Sequence, residues 1–143
     1  MNIKFRRVNR NDLNQLKKQF YNIFNINIEK QFYNWRYFYK SKYTSYVCVY
    51  NKKIVAHIGY CLFFASSIID SKKLIASRHS SFVVKEFRRK GIYSKLLKFS
   101  LNQLNIDYNI IGSIIWPNKV NLLTHYKNYN NLTFHYDLLI NKI

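Results

Sequence analysis

Between Tyr43 and Leu104 the chain changes its hydrophobic period once, and that change limits what it can fold into. Up to Val84 it is a succession of β-branched and aromatic runs separated by polar turns. From Ile92 the apolar residues recur at helical spacing, as Ile92, Leu96, Leu97, Leu101 and Leu104, with Lys95, Lys98 and Asn102 on the other side. Strands that lead directly into an amphipathic helix require a sheet with that helix packed on it, an α/β or α+β arrangement.

The rest of the chain extends this pattern. Residues 43–50 and the run from Ile54 read as a hairpin turned at Asn51-Lys52-Lys53, and Asp70-Ser71-Lys72 turns into a third, long strand over 74–84. Residues 3–8 read as a short strand. Asn11 and Asp12 can cap a helix whose inner face is Leu13, Leu16, Phe20, Ile23 and Phe24. The aromatic stretch 28–39 carries Phe32, Tyr33, Trp35, Tyr37, Phe38 and Tyr39 and reads as a helix or an irregular lid. A strand over 108–116, apolar on both faces, is followed by a helix opened by Pro117-Asn118 and running to about Tyr126. Residues 132–140 close as a strand. The expected order is β-α-α-β-β-β-α-β-α-β, a mixed, mostly antiparallel sheet with helices on both faces. The 143 residues suit one domain over 1–143.

Composition narrows the class. Three Gly and one Pro exclude collagen-like and low-complexity chains, and 18% aromatic residues argue against disorder. Cys48 and Cys61 form no CxxC pair, and on adjacent hairpin strands they fall out of register, so they read as free thiols in a reducing cytoplasm. The most apolar segment, 54–69, is too short for a membrane span and contains His57. The formal net charge of +18 invites nucleic acid or an acidic partner. The basic residues are dispersed, however, and heavy use of Asn, Lys, Ile and Tyr gives a compositional reading of the same charge.

The chemistry is concentrated around Gly91. A strand that enters a basic loop, a glycine and a helix start leaves a cluster of free backbone N–H groups at the positive end of a helix dipole, suited to phosphate. Arg88, Arg89 and Lys90 add charge there, Ser94 adds a hydroxyl, and Gly91 permits close approach. Neither the Walker A spacing nor the Gly-x-Gly-x-x-Gly fingerprint is present.

Residues 83–97 resemble the acetyl-CoA motif of the GCN5-related N-acetyltransferase (GNAT) family. That motif is Gln/Arg-x-x-Gly-x-Gly/Ala, preceded by a strand with Val five residues before the Arg; Arg88, Gly91 and Val83 take those places. Tyr93 stands where the second small residue is usual. The expected element order matches the family from Ile3 to Ile140, and Trp116-Pro117-Asn118 is similar to the Pro-Asn that starts its last helix.

The resemblance implies an acetyl-CoA-dependent acyltransferase, with acetyl-CoA as co-substrate and no metal. Transfer would be direct, to an amine or less often a hydroxyl, on an amino sugar or another small anionic molecule, or on a protein. Phe82, Val83, Val84, Arg88, Arg89, Lys90, Gly91, Ile92, Tyr93, Ser94 and Asn118 would hold the cofactor, with a backbone N–H near Val83 on the thioester carbonyl. Alternation puts positions 77, 79, 81 and 83 on one face of their strand. The family places its base there, at His79 or Ser77; Glu86 and His57 are the other candidates, and an imidazole titrates near neutrality. Tyr126 would protonate the leaving thiolate, with His125 as the alternative. Tyr33, Trp35 and Arg36 would line the acceptor pocket, and pairing through the final strands would make a homodimer. The competing reading is a non-catalytic basic module of the same fold that binds nucleic acid or an acidic partner.

Overall fold

The structure, a computed structural model, describes residues 3–27, 29–34, 38, 42–65 and 73–115. Among the described residues five strands form one sheet in the order β1-β2-β3-β4-β5: β1 (Ile3–Arg7), β2 (Tyr43–Tyr50), β3 (Lys53–Ala65), β4 (Lys73–Val83) and β5 (Gly112–Ile115). Three neighbouring pairs are antiparallel, and β5 joins β4 in parallel. Between β1 and β2 lie α1 (Leu13–Phe24) and a short α2 (Lys30–Asn34), and α3 (Ile92–Tyr108) links β4 to β5. This is the expected order as far as β5. The expected turn at 70–72, the last helix and the closing strand lie outside the described residues.

The β2–β3 hairpin turns on Asn51 and Lys52, with φ of 46° and 64°. Positive φ at both central residues matches the right-handed twist of the strands on either side. Gln15 of α1 clasps this turn: its Nε2 donates to Lys52 O at 3.1 Å, and its Oε1 accepts from the Ile54 N–H at 3.0 Å. In the resulting register Cys48 faces Ala56 and Cys61 faces Tyr43, so the two cysteines are separated along the strands and both are free.

Strand alternation sorts the core into two layers. Tyr46, Cys48, Ala56, Ile58, Tyr60, Leu62 and Ala76 pack against Ile92, Leu96, Leu97 and Leu104 of α3. On the other face Val47, Ile54 and Phe82 pack against Leu13, Leu16 and Phe20 of α1 and Tyr33 of α2. Ser100 is also buried on the inner side of α3, where it accepts from Tyr60 OH at 2.7 Å and donates to Leu97 O at 3.0 Å. Leu101, expected on that inner face, is only half-buried.

Two boundaries differ from expectation. Asp12 does precede α1, but its carboxylate turns back to Arg6, at 2.6 and 2.7 Å, and accepts the Asn9 N–H at 2.8 Å instead of capping the helix. The strand expected over 108–116 begins only at Gly112, because α3 continues through Tyr108 and stops at Asn109, left-handed with φ 50°. Gly112 and Ser113 are exposed, so this start of β5 is not covered on both faces.

Candidate functional site

β4 is interrupted where it approaches its end. Gly59 of β3 pairs with His79 and His57 pairs with Phe82, so two β4 residues, Ser80 and Ser81, stand opposite the single Ile58. Ser80 takes φ 50°, and such an extra residue bends a strand and re-aims the side chains beyond it. The expectation that 77, 79, 81 and 83 share a face is therefore corrected. His79 and Phe82 point to the α1 side, whereas Val83 packs with the α3 cluster.

The bulge lies just beyond the last described pair of β4 with its parallel neighbour. Among the described residues, pairing with β5 runs only from Ile75 to Arg78. Beyond it, the Val84 N–H donates to Val55 O of β3 at 2.9 Å. By alternation the Val83 N–H and carbonyl face away from β3. Arg88 Nε meets that carbonyl at 3.0 Å.

After Val83 a single 3₁₀ turn, Lys85–Phe87, leads into the loop. Arg89 and Gly91 both have positive φ, 59° and 69°, and Gly91 is the N-cap of α3. Lys95 N–H donates to Gly91 O at 3.1 Å, so the N–H groups of the first turn, from Ile92 to Ser94, precede the helical ladder. Arg88, Arg89, Lys90, Gly91 and Ser94 are exposed, Tyr93 is half-buried and Ile92 is buried as the hydrophobic anchor of the turn. A Cβ built on Gly91 meets nothing within 4 Å. The loop is thus open and positively charged, with backbone donors ahead of the helical ladder, and those residue types fit a diphosphate. Lys90 Nζ lies 5.2 Å from the Phe87 ring centroid. Glu86 is exposed in the 3₁₀ turn.

The remaining expected residues divide. His79 is half-buried, its Nδ1 3.0 Å from Ser80 Oγ and its ring edge-on to Tyr43 at 6.2 Å. Phe82 turns its ring into the aromatic cluster under α1. Tyr33 is buried, with its hydroxyl 3.0 Å from His57 Nε2. His57 is fully buried, and its Nδ1 lies 2.7 Å from the carbonyl of Ser80. Trp35, Arg36, Asn118, His125 and Tyr126 lie outside the described residues.

Two features were missed in the sequence. One is the bulge, signalled only by the Ser80-Ser81 pair inside an otherwise apolar strand. The other is Arg78, a nearly buried cation whose guanidinium lies 5.8 Å from the Tyr93 ring centroid. Arg78 sits at the last described β4–β5 pair and links it to the first turn of α3. A charged residue between Ser77 and His79 in a half-buried strand was the available signal.

Solved structures share this fold. A possible acetyltransferase from Clostridium difficile 630 superposes with a TM-score of 0.71 at 20% identity, covering 99% of this chain and 97% of that one. The fold is that of the GCN5-related N-acetyltransferases. The aminoglycoside acetyltransferase meta-AAC0020 from an uncultured soil metagenomic sample gives 0.70 at 21% identity over 95% and 96% of the two chains. The glucosamine-6-phosphate N-acetyltransferase of Arabidopsis thaliana gives 0.74 at 13% identity over 95% and 97%. No protein-family model matches the chain, and no curated protein sequence matches it either. The GNAT fold is therefore carried here by topology at very low sequence identity. Among the described residues no helix is long and apolar enough to cross a membrane, and no group of three or more His, Cys, Asp or Glu is placed to hold a metal.

Proposed function

We propose that this protein is an acetyl-CoA-dependent N-acetyltransferase acting on a small amine, with an amino sugar as the favoured acceptor class. The observation that carries the reading is the continuity of one surface. The outward edge of β4 at Val83 leads through Arg88 to the open, donor-lined cap at Gly91. A strand edge suits an extended amide-bearing chain, and the cap beyond it suits the diphosphate at that chain's end. The acetyltransferases of this fold named above include two whose names specify an aminoglycoside or an amino-sugar phosphate.

Acetyl-CoA would supply an activated acetyl thioester, so the protein's own task is to hold two reactants and move protons. The N–H groups of 92–94, with Arg88, Arg89 and Lys90, would hold the diphosphate. The outward N–H of Val83 would face the thioester end. His79 would take the proton from the acceptor amine: it lies on the α1 side of β4, beside Gly59, which puts no side chain next to it. Tyr126 is proposed as the acid for the leaving thiolate, Asn118 as a further cofactor contact, and Trp35 with Arg36 as acceptor contacts.

A thermal-shift comparison tests the class. Acetyl-CoA and CoA should raise the melting temperature with little dependence on salt, because a specific ligand stabilises by mass action. Stabilisation by an oligonucleotide alone, falling steeply with salt, would favour the basic binding module instead. Once an amine screen has found an acceptor, His79→Ala should lower kcat by about 10²- to 10⁴-fold and flatten the acid limb of the rate–pH profile. An unchanged limb would move the base elsewhere.

A further inference from the structure

Resting on the acetyl-transfer reading, we infer that His57 is a positioning residue that holds the β4 bulge in the register required by the acetyl donor, and that Tyr33 extends this control to α2.

A non-glycine residue in the left-handed region is strained and persists only where its surroundings over-determine it. The surroundings of Ser80 do so. Its carbonyl accepts a hydrogen bond from His57 Nδ1 at 2.7 Å. A carbonyl can only accept, so Nδ1 carries the proton and Nε2 presents a lone pair, to which Tyr33 OH donates at 3.0 Å. The imidazole is fully buried, stacked on Phe82 at 5.5 Å and edge-on to Phe20 at 5.4 Å. Both ring nitrogens are therefore engaged, and His57 is not available as the base.

The bulge decides which way the end of β4 faces. It turns Phe82 towards α1 and Val83 towards α3, and it leaves the Val83 N–H and carbonyl on the outer edge. His57 thus fixes the direction of the backbone donors that would meet the thioester, from 2.7 Å away on the neighbouring strand. Tyr33 comes from α2, the element next to Trp35 and Arg36 in the chain. The hydrogen-bonded line Tyr33–His57–Ser80 connects that acceptor-side helix to the donor strand.

Calorimetric titration of the full chain with acetyl-CoA and, separately, with CoA tests this. The wild type should prefer acetyl-CoA, because the thioester carbonyl meets an aligned N–H. In His57→Leu that preference should fall by roughly tenfold or more, with CoA affinity little changed because the loop at Gly91 is untouched. His57→Asn, whose amide nitrogen occupies the place of Nδ1, should recover most of it. Tyr33→Phe keeps the ring and removes only the hydroxyl; it should lose roughly 2- to 10-fold and carries the test if thermal melts show His57→Leu unfolded. Equal affinity of the wild type for the two ligands, or an unchanged preference in the folded variants, overturns the inference. So does an equal loss for CoA and acetyl-CoA, which would make His57 a support of the core alone. A wild type that binds neither ligand would instead overturn the acetyl-transfer reading.

Discussion

Under α3 the sheet meets a mainly hydrocarbon layer that also holds a thiol, tyrosine and serine hydroxyls and the Arg78 guanidinium, whereas under α1 it meets aromatic rings with His57 buried among them and His79 at the margin. The α3 layer is closed by pairs such as Tyr60 with Ser100, and its groups ionise only with difficulty. Burial pushes the Cys48 thiol up to about 11. Burial first, and then the charge of Asp107, pushes Tyr46 up to about 12, and Tyr60 is raised further, again mainly by burial. The two layers share β4 and exchange partners at Ser80. The difference teaches that the α3 side carries the exposed basic loop ahead of Ile92, while the α1 side places the imidazoles of His57 and His79 beside the bulged strand.

The comparison can be broken in order of expected effect. Gly91→Glu should lower acetyl-CoA affinity by at least about a hundredfold while leaving the melt of the free protein only slightly lower. Within the protein itself the space around a Cβ at this position is open. The effect comes from placing a carboxylate and a side chain where the diphosphate would lie. Wild-type affinity in this variant would remove the loop from the account. Ser100→Val should cost about 1–3 kcal/mol in urea unfolding, because the Tyr60 hydroxyl loses its buried acceptor. Asp12→Ala should cost about 1–2 kcal/mol, since Arg6 is partly exposed and screened. No destabilisation in either would show that these buried pairs are dispensable.

Two smaller effects separate the layers. Cys48, Tyr46 and Tyr60 all have raised values in the folded protein. Their contributions are fully present below the ordinary thiol and phenol range and are lost as pH climbs towards the raised values. Unfolding free energy should therefore stay level to about pH 9 and fall by about pH 11, with amide exchange rising first in α3. Earlier exchange in α1 would contradict the sorting of ionisable groups between faces. Gly91→Ala should cost only about 1 kcal/mol, the strain of a left-handed backbone without steric crowding.

Where hydrophobic period and turn chemistry agree, the fold was legible in the sequence. Tyr43–Tyr50 is a strand over that same span, Asn51-Lys52 makes its turn, and α3 begins at Ile92 after the glycine. The loop residues follow from the same pattern. The bulge was not legible, because period-two alternation assumes an unbroken strand and Ser80-Ser81 carries no strong signal of its own. Missing it put Val83 on the face of His79 and hid the link from His57 to Ser80, a contact 23 residues apart in the chain. The family resemblance put Tyr33 among the acceptor contacts; the link of its hydroxyl to His57 was not legible, a pairing that only tertiary packing decides.

Backbone amide shifts on titration with acetyl-CoA test the central claim most directly. The account predicts that the largest changes fall on residues 81–83 and 88–94, with smaller ones at His57 and His79. Changes confined to the hollow of about 330 Å³ lined by Ile3, Phe5, Lys90, Ile92 and Lys95, with β4 silent, would contradict it.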